Sequence, residues 1–174
     1  MPGDTPARRE ATPEEFKAMA HPLRLRILRL CLHEARTNKE IAVELGKDPA
    51  TTLYHVRMLV RTGFLRAEKV RTGQRGALEK PYRATRKSWV LSAPRPEDDA
   101  VATLASIDAF RAEVADTLPG GMLEGARLGL KLSDEAAEEL STRIQALVME
   151  LAERDFDREG QEYGLFIGLH RRRP

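Results

Sequence analysis

The chain carries a single cysteine, Cys31, in 174 residues. That excludes an intrachain disulfide and any cluster of cysteine metal ligands drawn from one chain. It has no apolar run near the ~18–20 residues that a membrane-spanning helix requires, and its first residues lack the apolar stretch of a secretory signal. The expectation is therefore a cytoplasmic protein with no membrane role. Glycine (12) and proline (10) stay near average use, which argues against collagen and low-complexity disorder. Motifs for catalysis are missing as well. His33-Glu34 has no second histidine at position 37, which is threonine, no Gly-Lys-Ser/Thr run cradles a phosphate, and there is no Gly-x-Ser-x-Gly elbow. The chain reads as a non-enzyme without a cofactor.

What is present is an uneven distribution of charge around a net value of +2. Residues 1–95 hold 20 Lys/Arg against 10 Asp/Glu, whereas residues 96–174 hold 9 against 17. The first part suits a polyanion and the second would repel one. With 41% hydrophobic residues the chain can bury a core, and its length fits a small domain with an appended unit.

Residues 1–11 are polar and aperiodic and are expected as a disordered arm. Thr12-Pro13-Glu14-Glu15 is a capping box with proline at the first helical position, so a helix starts there. His21-Pro22 starts a second, ending near His33, with Leu23, Ile27, Leu28, Leu30 and Leu32 inside and Arg24, Arg26 and Arg29 outside. Thr37-Asn38-Lys39-Glu40 is another capping box, closed by Gly46. Asp48-Pro49 then opens a longer helix that stops at Gly63. Two helices across a tight glycine turn form a helix-turn-helix. Residues 64–71 and 77–85 read as a hairpin with six basic and two acidic residues, its second strand placed at an edge by Pro81.

In the helix over 49–61, Leu53, Val56, Leu59 and Val60 are assigned to the core. Ala50, Thr51, Tyr54, His55, Arg57, Met58 and Arg61 then face outward. Such a face offers hydroxyl, imidazole and guanidinium groups to base edges and phosphates in a DNA major groove. The expected DNA contacts are Asn38, Lys39, Thr51, Tyr54, His55, Arg57 and Arg61, with Arg71, Arg75 and Lys80 of the hairpin on the backbone or in a minor groove.

The runs Phe16-Lys17-Ala18-Met19-Ala20-His21-Pro22-Leu23-Arg24-Leu25-Arg26-Ile27-Leu28, Thr37-Asn38-Lys39-Glu40-Ile41-Ala42 and Thr51-Thr52-Leu53-Tyr54-His55-Val56-Arg57-Met58-Leu59-Val60-Arg61-Thr62-Gly63-Phe64-Leu65 resemble the ArsR family of bacterial winged-helix repressors. The resemblance covers about residues 12–91. It implies a homodimeric DNA-binding regulator with a recognition helix near 49–61 and a wing near 66–83. The paired cysteines of the family's metal sensors are absent from Ala35-Arg36-Thr37-Asn38-Lys39, so metal sensing at that position has no support. Cys31 and His33 point apart on a helix, and Cys31 is read as a core residue. His170, Asp155, Asp157 and Glu159 are read as a solvated acidic loop and not a metal site.

The charge reverses at 92–99, where two prolines mark a boundary. Beyond it, Val101, Leu104, Ile107, Phe110 and Val114 predict one amphipathic helix. Leu140, Ile144, Leu147 and Leu151 predict another over 133–153. The alternation Ala126, Leu128, Leu130, Leu132 and that of Tyr163, Leu165, Ile167, Leu169 predict two short strands. The expected architecture is mainly α with small β elements, a winged helix-turn-helix domain at 12–91 and an α/β unit at 98–174 that dimerises and can hold a small-molecule effector. The expected function is sequence-specific regulation of transcription, as a repressor acting on double-stranded DNA. The alternative is a winged-helix module that binds protein or RNA without reading DNA.

Overall fold

The structure, a computed structural model, describes residues 9–73, 76–92, 96–121, 124–153 and 160–171. Two compact units divide the chain at Glu113 and Val114, whereas the sequence places the division near 92–99.

The first unit begins with β1 (Arg9–Glu10), which pairs in parallel with β7 (Leu91–Ser92). Residues 9–11 are thus ordered, not the end of a free arm. The Ala11 amide donates to the Ser92 carbonyl, and the Ala11 side chain is buried. Between these strands lie α1 (Pro13–Met19), α2 (Pro22–Leu30), β2 (Arg36–Thr37), α3 (Asn38–Glu44) and α4 (Pro49–Arg61). They are followed by β3 (Leu65–Ala67), β4 (Arg71–Thr72), β5 (Leu78–Glu79), β6 (Pro81–Ala84) and a 3-10 turn at Lys87–Val90.

The helix starts follow from local chemistry. Thr12 and Thr37 each accept from the amide three residues on, and Glu15 and Glu40 return the bond to the cap amide, so both capping boxes form. Asp48 caps α4 ahead of Pro49. Gly46 and Gly63 take φ of 59° and 75° just beyond α3 and α4, a left-handed conformation that glycine adopts without steric cost. α2 ends earlier than its apolar stripe predicts. Its last turn closes at Cys31, and Arg36 donates to the Leu30 carbonyl at 2.9 Å, turning the chain into β2.

β6 is the central strand of the order β2-β6-β3, which corrects the edge placement inferred from Pro81. Proline lacks only the amide donor, and as the first residue of the strand it still accepts from Glu68 through its carbonyl. β4 and β5 form a separate two-stranded hairpin. Ala18, Ile27, Ile41, Val56, Leu59, Phe64 and Leu65 make the core, with Cys31 fully enclosed among them. Burial pushes the Cys31 thiol up to about 12, so it is a protonated packing group. Four helices, α1 to α4, with a small antiparallel sheet and a hairpin make a winged helix-turn-helix.

A second constraint joins the ends of this unit. The buried Glu15 carboxylate meets Arg9 at 2.6 Å and Lys87 at 2.5 Å. Lys87 also donates to the Thr62 carbonyl at 2.7 Å and lies 5.4 Å from the centre of the Phe64 ring. One carboxylate therefore holds β1, the start of α1 and the turn that follows the sheet.

α5 (Pro96–Thr117) and α6 (Asp134–Glu153) form where predicted. On α5 the small Ala105 and Ala109 are buried, while Val101, Leu104 and Ile107 of the expected apolar stripe are exposed. The two expected strands do not form: residues 124–133 and 160–171 have no strand, so the described part of the second unit holds α-helix and irregular chain in place of an α/β arrangement. Residues 155–159 of the acidic loop lie outside the described residues.

Glu15→Ala is expected to lower stability by about 1–3 kcal/mol, through loss of the capping box and of the charge-assisted bonds. Because Arg9 is half exposed, Arg9→Ala should cost less. Urea denaturation of both variants checks the order.

Candidate nucleic-acid interface

α3 and α4 are seated on each other by packing and by one polar contact, in which the Asn38 side-chain amide donates to the Pro49 carbonyl at 2.9 Å. Asn38, expected to contact DNA, is half-buried in this role. Lys39 at the start of α3 is exposed.

On α4, Thr52, Val56 and Leu59 are buried, while Ala50, Thr51, Tyr54, Arg57 and Arg61 are exposed. Steps of three and four residues keep the last four on one face. Tyr54 is 65% exposed and available as a flat contact surface. Neither Arg57 nor Arg61 has an ion-pair partner among the described residues. Both line a groove of about 430 Å³ between α1 and α4 with Pro13, Glu14, Lys17, Tyr54 and Met58. Three cations and one carboxylate therefore share this wall. Lys17 was missed in the sequence because only the packing of α1 beside α4 brings it there.

Three assignments on α4 are corrected. His55 and Met58 are buried and Val60 is exposed. Positions 52, 55, 56 and 59 form the inward stripe, so His55 belongs with Thr52 and Leu59 by its spacing of three and four. That periodicity was available in the sequence. His55 is turned inward and not onto the exposed face; it sits at 4.7 Å between ring centres from His21, edge-on to Tyr54 at 5.3 Å, with Nδ1 3.4 Å from the Arg24 guanidinium.

Arg24, placed outside by its position on α2, is buried for a related reason. Its Nε donates to the Ala18 carbonyl at 2.7 Å and its Nη2 to the Lys17 carbonyl. These carbonyls end α1 and have no acceptor role left within it. A guanidinium with several donors in a fixed plane satisfies both at once.

The wing is less basic than its composition. Arg71 binds Glu40 at 2.6 Å and Glu79 at 3.3 Å, and Arg66 and Arg83 both meet Glu68. Lys80 is exposed and without an ion-pair partner among the described residues, and Arg75 lies outside them. Of the expected wing contacts, Arg71 is thus committed to a bridge between β4, β5 and the start of α3.

The model of a helix-turn-helix domain family matches residues 19–68. That span holds α2, α3, α4 and β3, and the match supports a DNA-binding transcriptional regulator. No curated protein matches the chain. Among solved structures, a double mutant of ZitR from Lactococcus lactis in the apo form is 18% identical, with a TM-score of 0.33 over 78% of this chain and 82% of that one. A MepR mutant from a multidrug-resistant clinical isolate of S. aureus is 14% identical, with a TM-score of 0.30 over 78% of each chain. No helix among the described residues is long and apolar enough to cross a membrane.

The histidine pair makes the seat of α4 sensitive to acid. Burial, followed by the charge of Arg24, holds His21 below its ordinary value, and burial, followed by His21 and Arg24, does the same for His55. The unfolded chain then binds protons at a higher pH than the folded one, so this stability is complete above about pH 6.5 and is lost as pH falls. Between pH 7.5 and 5.5, above the carboxylate range, wild type should lose stability. His55→Gln should lose less over that window, as read by denaturation at each pH; an equal loss would remove His55 from the effect.

Proposed function

We propose that the chain is a sequence-specific, DNA-binding transcriptional repressor that enters a major groove with α4. The observation that carries this reading is the α4 face itself. Thr51, Tyr54, Arg57 and Arg61 share one exposed surface, and its two guanidinium groups have no ion-pair partner among the described residues, although the Glu14 carboxylate lines the same groove. Groups that donate along a helix can read base edges, and cations beside them grip the flanking phosphates. Lys17 extends this positive wall onto α1, while Lys39 and Lys80 add cations on α3 and on the wing. Arg71 acts on DNA only by setting the angle between wing and α3, since its charge is already balanced. The resemblance of residues 12–91 to ArsR repressors supports the same reading and its negative sign of regulation.

The reading includes a homodimer. Two copies related by a two-fold axis would present two α4 helices to one face of the duplex, so the site should be an inverted repeat with half-site centres about 10–11 base pairs apart or a multiple of that. The second unit would supply the dimer contacts and the room for an effector.

Selection of duplexes from a random pool, followed by titration across a salt series, tests the proposal. Affinity should fall steeply with salt, and Arg57→Ala or Arg61→Ala should each reduce the log–log slope by about 1 while weakening all duplexes alike. Tyr54→Ala should instead reorder the selected sites at nearly unchanged slope. A wild-type protein that selects no sequence and shows no salt dependence with duplex DNA would leave the protein- or RNA-binding module as the better reading.

A further inference from the structure

α6 carries an apolar stripe that its own chain covers only in part. Leu140, Ile144, Leu147 and Leu151 follow at steps of four, three and four, which sets them on one face of the helix. None of the four is buried; Leu147 is 45% exposed, and Val148 at the edge of the stripe is 40% exposed. Among the described residues, none beyond Ala109 is buried. The described part of the second unit therefore holds no enclosed core into which the stripe could be placed.

One flank of the stripe carries opposite charges. Arg143 precedes Ile144 and Glu150 precedes Leu151, so both border the same side, where paired helices exchange ions. Both side chains are exposed, and neither has an ion-pair partner among the described residues. They cannot serve each other within one helix, because side chains meet there at spacings of three and four and not of seven.

We infer that α6 pairs antiparallel with α6 of a second copy of this chain, about a two-fold axis between residues 145 and 146. That register sets Leu140 of one copy opposite Leu151 of the other and Ile144 opposite Leu147, and the symmetry repeats both layers. It brings Arg143 alongside Glu150 of the other copy, again twice. Val148 comes against Ser141 of the other copy on the second flank, which covers the more exposed edge of the stripe.

Charge selects this arrangement over its neighbours. An axis through Ile144 would still set Leu140 near Leu147, but it would bring Arg143 of one copy against Arg143 of the other, and like charges in that position repel. A parallel pair would set Arg143 beside Val148 of the other copy, where no carboxylate meets it. The partner that fits has the same apolar stripe with its guanidinium and carboxylate in reversed order, and a second α6 turned end for end supplies it.

The inference rests on the dimeric part of the proposed function and names its contact; it is independent of DNA reading. Sedimentation of the full chain at low salt, over a concentration series, gives the dimer midpoint that tests it. Arg143→Glu and Glu150→Arg should each raise the midpoint about tenfold, because each replaces two attractive pairs by two repulsive ones. The two changes together should return it to within about threefold of wild type. Rescue is the decisive readout, since a residue that acts only within its own helix is not restored by a change seven positions away. If a charge reversal disrupts folding, Arg143→Gln with Glu150→Gln replaces it: the wild-type dimer should weaken as salt rises and this variant should be less sensitive. Single variants with an unchanged midpoint, two changes that weaken the dimer additively, or equal salt sensitivity of the glutamine variant overturn the inference. A wild-type chain that stays monomeric at all concentrations overturns it together with the dimeric part of the function, and salt-dependent duplex binding then decides the DNA-binding reading separately.

Discussion

The arrangement of the helix-turn-helix depends on a buried guanidinium. Arg24 closes the end of α1 through the Lys17 and Ala18 carbonyls and reaches His55 on α4. One side chain thereby fixes the relation of three helices. Burying a cation is costly unless its donors are satisfied, and here two backbone carbonyls and an imidazole nitrogen meet it. The arrangement favours neutral histidines, because a proton on either ring would add a second positive charge beside the first at a buried seat. Helix packing and polar satisfaction at this seat both run through Arg24, while burial of the two histidines, with its charge beside them, makes the seat sensitive to acid.

Electrostatics elsewhere in the first unit follow a division of labour. Glu15, Glu40, Glu68 and Glu79 each bind arginine or lysine at joints between elements. The basic composition of residues 1–95 is therefore partly internal. Cations used to hold β1, the wing and the sheet together have little charge left for a phosphate, because a neighbouring carboxylate cancels their field at short range. Lys17 on α1 and Arg57 and Arg61 on α4 have no ion-pair partner among the described residues, and three cations against the single carboxylate of Glu14 leave the groove beside Tyr54 net positive.

Much of this was legible in the sequence where the determining chemistry is local. Both capping boxes, the Asp48-Pro49 start and the glycine stops depend on residues within four positions, and each forms as read. Arg24, Pro81 and Lys17 were not legible in the same way. Charge placed Arg24 outside, yet the unsatisfied carbonyls that draw it in belong to another helix. Pro81 signalled an edge because proline lacks a donor, but the decisive fact was that it begins β6 and needs only its carbonyl. His55 is different, since its inward position was recoverable from the 52-55-56-59 spacing and was obscured by the chemical appeal of an imidazole at a DNA surface.

The second unit shows the limit of reading periodicity as structure. Alternating leucines specify which side chains share a face, and that much holds for any extended chain. A strand also requires a neighbour whose amides and carbonyls lie in register, and no pattern within a single segment supplies one. In residues 124–132 and 160–171 the alternation is present in the sequence, and no described element of the same chain pairs with either segment as a strand. α6 cannot substitute, because its backbone groups are consumed within the helix and it can cover only a face, leaving the ladder edge open. A strand needs a hydrogen-bonding edge as well as apolar cover, and alternation along one segment encodes only the second.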